Sequence, residues 1–288
     1  MAAEFSPAAV AARAALAAVE PVPGAPKPDA VLVADQVRRT FGGITAVDVQ
    51  HCEVQRGSIT ALIGPNGAGK TTFFNLLTGF DTPNQGTWSF NGRDMAKVAA
   101  HETAAMGMVR TFQLTKSLTK MSVIENMKLG ATDQRGEKWW NGLFPMLWRD
   151  QEREIEARAD ELLTRFKLDH MRNEYAGTLS GGQRKLLEMA RSLMTNPSLV
   201  MLDEPMAGVN PALKQSLNEH IRGLRDDGMT VLFVEHDMDM VHDISDWVIV
   251  MAEGQIIAEG TPNQISANPA VIDAYLGAHQ GKSLLEDL

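Results

Sequence analysis

An α/β fold built on a parallel sheet is predicted by three features of the sequence. Compact apolar runs at Ile59-Thr60-Ala61-Leu62-Ile63, Leu199-Val200-Met201-Leu202 and Val231-Leu232-Phe233-Val234 read as strands buried on both faces. They alternate with stretches of helical spacing, such as Phe73, Phe74, Leu76 and Leu77 after the first run, which is the doubly wound pattern. The first strand is joined to its helix by the glycine-rich Gly64-Pro65-Asn66-Gly67-Ala68-Gly69-Lys70-Thr71-Thr72.

The remaining elements follow from local pattern. Residues 31–54 carry short apolar alternations, and Gly86-Thr87-Trp88-Ser89-Phe90 runs into Asn91-Gly92, a hairpin signal, so antiparallel strands are expected beside the parallel core. From about His101 to Leu193 the spacing is helical, notably at Ile155, Ala159, Leu162, Leu163 and Phe166. No internal repeat is present, which points to one unit. The Ala-rich stretch Ala8 to Ala18 lacks a basic start and carries Arg13, with Glu4 ahead of it, so it is a poor signal peptide. Pro21-Val22-Pro23-Gly24-Ala25-Pro26-Lys27-Pro28 reads as an extended linker. Order is therefore expected to begin near Val31, with residues 1–29 a disordered extension, 30–280 a single domain and 281–288 a short tail.

Composition limits the function classes. The formal net charge of -9 argues against sequence-independent binding to nucleic acid, which requires a basic face. The one cysteine, Cys52, leaves no internal disulfide and lies among Val47, Val49 and Val54 as a core residue would. No apolar run approaches the roughly 20 residues that span a bilayer.

The glycine-rich run has the spacing of a phosphate-binding P-loop. Its glycines let consecutive N–H groups turn inward around an anion. Lys70 supplies a mobile positive charge for the outer phosphates, the Thr71 hydroxyl suits Mg²⁺, and the helix beginning near Thr72 directs its positive end at the anion. A second anion site is suggested by Leu179-Ser180-Gly181-Gly182-Gln183 before an apolar helix face at Leu186, Leu187, Ala190, Leu193 and Met194; by itself this stretch reads first as an N-cap with a flexible lead-in. A short distance on, the strand Leu199 to Leu202 ends in the adjacent carboxylates Asp203 and Glu204.

With these three motifs in order, the sequence resembles the ATP-binding cassette family over nearly everything from Val31 to Leu276. The lesser motifs agree: Arg110-Thr111-Phe112-Gln113 is similar to the glutamine loop, His236 to the switch histidine, and Phe41 to the adenine-stacking aromatic. The resemblance implies a RecA-like P-loop core with an antiparallel β subdomain and an inserted α-helical subdomain at about residues 114–195. It implies ATP and Mg²⁺ as ligands. Phe41, Val47, Asn66, Gly67, Ala68, Gly69, Lys70, Thr71 and Thr72 would hold the nucleotide, and Thr71, Gln113 and Asp203 the metal. Glu204 would polarise the attacking water, Gln113 would touch the metal and that water, and His236 would meet the γ-phosphate. Ser180, Gly182 and Gln183 would act on the nucleotide of a second cassette chain.

Asn210 stands where the family commonly has an aspartate, and that departure is similar to the cassettes of branched-chain amino acid importers. So are residues 39–47, Ser122-Val123-Ile124-Glu125-Asn126, Glu235-His236-Asp237-Met238, Gly260-Thr261-Pro262 and Ala274-Tyr275-Leu276-Gly277. This subgroup implies a peripheral ATPase on the cytoplasmic face of a membrane. Its partners would be a second cassette, in a heterodimer or a homodimer, transmembrane permease subunits and a periplasmic or lipoprotein substrate-binding protein. Alternatives are a cassette for urea or short-chain amides, an envelope-lipid exporter ATPase and a non-transport cassette ATPase. Trp139, Trp140, Phe144 and Trp148 form an aromatic cluster with two readings, packing against the helical subdomain or contact with a membrane subunit or lipid interface.

Overall fold

The computed structural model describes residues 6–111, 118–132 and 149–283. The chain opens with helix α1 (Pro7–Ala17) and the antiparallel strands β1 (Ala30–Phe41) and β2 (Ile44–Gln55), then passes through β3 (Ile59–Ile63) into α2 (Lys70–Leu77). A hairpin of β4 (Gln85–Phe90) and β5 (Arg93–Asp94), turning at Asn91-Gly92, leads to α3 (Ala100–Ala105) and β6 (Met108–Arg110). Next come α4 (Val123–Lys128), α5 (Arg149–Arg165) and α6 (Gly181–Ser192). The last part alternates β7 (Leu199–Asp203), α7 (Pro211–Asp226), β8 (Thr230–Val234), α8 (Met238–Ile244) and β9 (Trp247–Ala252), then closes with β10 (Gln255–Gly260), α9 (Pro262–Ser266) and α10 (Pro269–Ser283).

Two sheets result. The antiparallel sheet has the order β2-β1-β4-β5, and the larger sheet the order β10-β9-β3-β8-β7-β6, parallel from β9 through β6 with β10 antiparallel at one edge. The period of two in β3, β7 and β8 shows how the larger sheet is clothed. Ile59, Ala61, Ile63, Val200, Leu202, Val231 and Phe233 join a core that includes α4, α5, α6 and α7, through residues such as Met127, Leu162, Leu187 and Ile221. Leu62, Leu199, Met201, Leu232 and Val234 join a second core with α2 and the antiparallel sheet, through Phe73, Phe74, Val37 and Trp88. Each strand is therefore buried on both sides, as the apolar runs predict. The fold class is as expected: a parallel P-loop core, an antiparallel β unit and a helical unit. Cys52 is buried, and its thiol is pushed far up by burial, so it is an inert core residue.

Two expectations are corrected. Met108–Arg110 is a strand paired in parallel with β7, although it lies in the stretch with helical spacing; three residues are too few to carry a periodicity. The segment before Val31 is not a disordered extension in its described part. Ser6 caps α1 by accepting the Ala9 N–H at 3.2 Å, and Ala9, Ala12 and Leu16 are buried. Small alanines do not read as a core face in sequence, but they let a helix lie close to its support. Arg13 Nε donates to Asp246 Oδ1 at 2.6 Å, and Asp246 also receives Arg225 Nη1 at 3.1 Å.

The Pro-rich connection is fastened too. The Lys27 ammonium meets Glu259 Oε2 at 2.6 Å with both side chains fully buried, and Trp247 Nε1 and the Gly24 N–H also donate to that carboxylate. Removing one member of such a pair strands a buried charge. Lys27→Ala is accordingly expected to lower unfolding free energy by about 3 kcal/mol in urea titration; an unchanged midpoint would mean that the segment is not docked in solution.

Candidate nucleotide-binding site

Because β3, β8, β7 and β6 are adjacent and parallel, their carboxyl ends lie side by side, where open α/β sheets bind ligands. That one edge gathers the loop after Ile63, the Glu235-His236 segment after β8, Asp203-Glu204 at the end of β7, and Arg110 at the end of β6.

The glycine loop leaves a wholly buried β3 and becomes α2 at Lys70. Gly69, the N-cap, has φ 96°, and a Cβ there would lie 2.3 Å from the Ala46 carbonyl, so no other residue fits this turn. Asn66 and Gly67 are exposed. The side chain of Ala68 is buried, so only its backbone can serve a ligand. Lys70 Nζ donates to the carbonyls of Gly64 at 2.7 Å and Pro65 at 3.0 Å. Burial lowers its pKa, while the nearby Glu204 works in the opposite direction. Thr71 is exposed at the first turn of α2 and Thr72 half-buried.

Glu204 follows β7 with φ 46°, a left-handed conformation that is uncommon for a side chain of this size. The flanking bonds hold it there: its N–H donates to Val234 O at 3.0 Å, and its carbonyl accepts from the Ala207 N–H at 3.1 Å. From α6, Lys185 Nζ donates to Pro205 O at 3.0 Å and also to Ala207 O. Burial lowers the pKa of Lys185, opposed by the carboxylates of Glu235, Glu188 and Glu204. Glu235, 1 % exposed, accepts the N–H of Met206 at 2.8 Å and that of His236 at 3.1 Å. The His236 ring itself is 65 % exposed, open to a ligand approaching the sheet edge.

Ser180 and Gln183 form a reciprocal capping box at the start of α6: Gln183 N–H to Ser180 Oγ at 3.2 Å, Ser180 N–H to Gln183 Oε1 at 2.9 Å. The cap is exposed, and it realises the N-cap reading of this motif. Gly182 packs against α7, where a Cβ would fall 1.6 Å from Leu213 Cδ2 and oblige that side chain to shift. Asn210 caps α7, its Oδ1 accepting the Leu213 N–H at 2.9 Å.

The remaining expected residues divide. Phe41 is 48 % exposed at the end of β1, with the Arg39 guanidinium 4.6 Å from its ring centroid and Arg39 itself paired to Asp81. Val47 is a correction: it is fully buried in the core between the sheets, so its side chain offers no surface to a nucleotide. Gln113 and the aromatics Trp139, Trp140, Phe144 and Trp148 lie outside the described residues. Sequence reasoning gave no role to Arg110, Lys185 or Glu235. A charge closing an apolar strand is the signal for the first and last; for Lys185, whose acceptors are twenty residues away or more, there is none. The Thr71 hydroxyl and the Asp203 carboxylate are hard oxygen donors, of the kind that suits Mg²⁺ completed by phosphate oxygens.

In sequence and fold the chain is similar to known ATP-binding cassettes. The ABC transporter family model matches residues 47–207, and a model described as branched-chain amino acid ATP-binding cassette transporter matches residues 255–280. The chain is 41% identical over 252 residues to a probable branched-chain amino acid transport ATP-binding protein, LivG, of Archaeoglobus fulgidus, covering 88% of this chain and 97% of that one. It is 42% identical over 239 residues to the high-affinity branched-chain amino acid transport ATP-binding protein BraF of Pseudomonas aeruginosa, covering 82% and 94%. Among solved structures, the ADP conformation of an ATP-binding cassette of an ABC transporter matches with a TM-score of 0.75 at 38% identity, covering 86% of this chain and 99% of that one.

Lys185→Met removes the donor to two loop carbonyls beside Glu204. A stability loss of about 1–3 kcal/mol is expected by urea titration, the cost of buried acceptors left unsatisfied; a midpoint equal to that of the unmodified chain would show that these bonds are not made in solution.

Proposed function

The chain belongs to the ABC transporter family, and from that premise we propose that it binds and hydrolyses ATP to drive a membrane importer of branched-chain amino acids. The observation that carries the substrate class is the match of residues 255–280 to the branched-chain cassette model, beyond the part that all such ATPases share. No described helix is long and apolar enough to cross a membrane, so the permeation path would be supplied by separate transmembrane subunits, with this chain at their cytoplasmic face.

Hydrolysis of a phosphoanhydride needs neutralised phosphates and a water in line with the γ-phosphorus. Amides of residues 66–72 and the Lys70 ammonium would hold the phosphates, and Phe41 would stack on the base. Thr71 and Asp203, with Gln113, would hold Mg²⁺, which supplies further charge neutralisation when bound. Glu204 would accept a proton from the attacking water, and His236 would contact the γ-phosphate. The exposed cap of Ser180 and Gln183 supports a role toward the nucleotide of a second cassette, in a heterodimer by analogy with importers that use two different cassettes. Preferential ATP affinity for the closed pair would shift the population toward closure, and hydrolysis would release it.

Glu204→Gln keeps the size of the side chain but cannot take a proton. Turnover is expected to fall about 100-fold or more with ATP binding retained and dimers accumulating on size exclusion; near-normal turnover would remove Glu204 from its role. Lys70→Ala should instead lose nucleotide affinity, and equal binding would count against the loop. Reconstitution with co-purifying permeases and a binding protein tests the substrate: stimulation of ATPase by leucine-type amino acids is expected, and stimulation by urea alone would reassign it.

A further inference from the structure

Arg110 ends β6 with its side chain 7 % exposed and its guanidinium shared between β7 and the end of α2. Nη2 donates to Asp203 Oδ2 at 2.6 Å. Nη1 donates to Asn75 Oδ1 at 2.7 Å and Thr78 Oγ1 at 3.2 Å, both at the far end of the P-loop helix α2. The guanidinium carbon lies 5.5 Å from the Phe74 ring centroid and 5.7 Å from that of Phe80. Thr78 is itself fixed, its hydroxyl donating to Phe74 O at 2.7 Å. The Thr111 N–H donates to Met201 O at 2.9 Å, so the backbone that carries Arg110 is tied to β7 as well.

We propose that Arg110 is a positioning residue for the metal-holding carboxylate: by engaging Oδ2 of Asp203 it fixes the carboxylate plane and leaves Oδ1 for Mg²⁺ or one of its waters. The inference rests on the reading of Asp203 as a metal ligand. Its physical basis is the fork. A planar guanidinium whose second arm is anchored on Asn75 and Thr78 has one orientation, so the carboxylate it meets has one as well. A group that orients a ligand without touching the ion contributes about 10–100-fold to metal affinity. A lysine has the charge but no second arm. The same contacts make the carboxylate's direction depend on α2, so the phosphate loop and the metal carboxylate are set by one rigid unit.

The test uses the full chain and a fluorescent ATP analogue, titrated with Mg²⁺ or held in EDTA. Arg110→Met keeps the stem between Phe74 and Phe80 but removes the fork. It is expected to raise the Mg²⁺ concentration that gives half-maximal enhancement of nucleotide affinity by about tenfold or more, with affinity in EDTA held near that of the unmodified chain, while the melting temperature falls because Asp203 and Asn75 lose a buried partner. Arg110→Lys should recover part of the shift. With Mn²⁺ as probe, the electron paramagnetic resonance line of the bound ion should broaden in Arg110→Met. In an Asp203→Asn background, Arg110→Met should add less than about twofold, since the two act through one carboxylate.

An unchanged Mg²⁺ requirement in Arg110→Met, or equal losses with metal and in EDTA, would overturn the inference and leave Arg110 a packing residue. Should Arg110→Met not fold, Arg110→Lys carries the comparison with an expected shift of about threefold from loss of the second arm, and no shift would overturn it. An Asp203→Asn chain with an ordinary Mg²⁺ requirement would instead unseat the metal reading of Asp203 itself. A shift in Asp203→Asn without one in Arg110→Met would sink only the present inference.

Discussion

Burial of β3, β7 and β8 on both faces is the constraint on which the rest of the molecule depends. Ile59, Ala61 and Ile63 face one core and Leu62 the other, and β7 and β8 alternate in the same way. A charged group along such a strand would face a large desolvation cost, so charge is confined to the strand ends. The crossover rule for parallel strands then puts those ends on one edge. The strand order makes β3, β8, β7 and β6 neighbours, and with them the phosphate loop, His236, the Asp203-Glu204 pair and Arg110. Chemistry concentrates at the edge because the interior of the sheet excludes it.

At that edge the cations are not distributed as simple counter-ions to the carboxylates. Lys70 and Lys185 both direct their ammonium groups at backbone carbonyls, of Gly64 and Pro65 in one case and of Pro205 and Ala207 in the other. A compact ammonium with three donors suits diverging carbonyls, whereas a planar fork suits a carboxylate. Arg110 accordingly takes Asp203. Glu204, which lies within electrostatic reach of both lysines, is kept in a left-handed backbone conformation by bonds from both sides. Strain of this kind persists only where neighbouring structure over-determines it.

The parts of the site that were legible in the sequence are those encoded locally. The glycine loop, the capping box at Ser180 and the carboxylates closing β7 each occupy a few consecutive residues, and each takes the structure its spacing predicts. The hairpin at Asn91-Gly92 and the amphipathic face of α5 belong to the same class. What the sequence did not disclose depends on partners far along the chain. Lys27 finds Glu259 at a separation of 232 residues, and Arg110 finds Asp203 at 93. Val47 took its nucleotide role from the family resemblance alone, while its place beside Val49, Cys52 and Val54 already matched the buried position it holds. The docking of α1 escaped notice because alanines carry little hydrophobic contrast.

Glu235 extends this account from position to motion. One buried carboxylate receives the N–H of Met206, on the segment after β7, and of His236, on the segment after β8. If either segment shifted alone, the buried carboxyl group would lose its bond from the Met206 N–H. The His236 bond lies within its own segment, so it is the Met206 N–H that joins the end of β7 to the end of β8 through this carboxylate. A displacement of one strand end relative to the other would break that bond, so the stretch that follows the carboxylate pair and the stretch that carries the histidine are held in register by a single shared side chain.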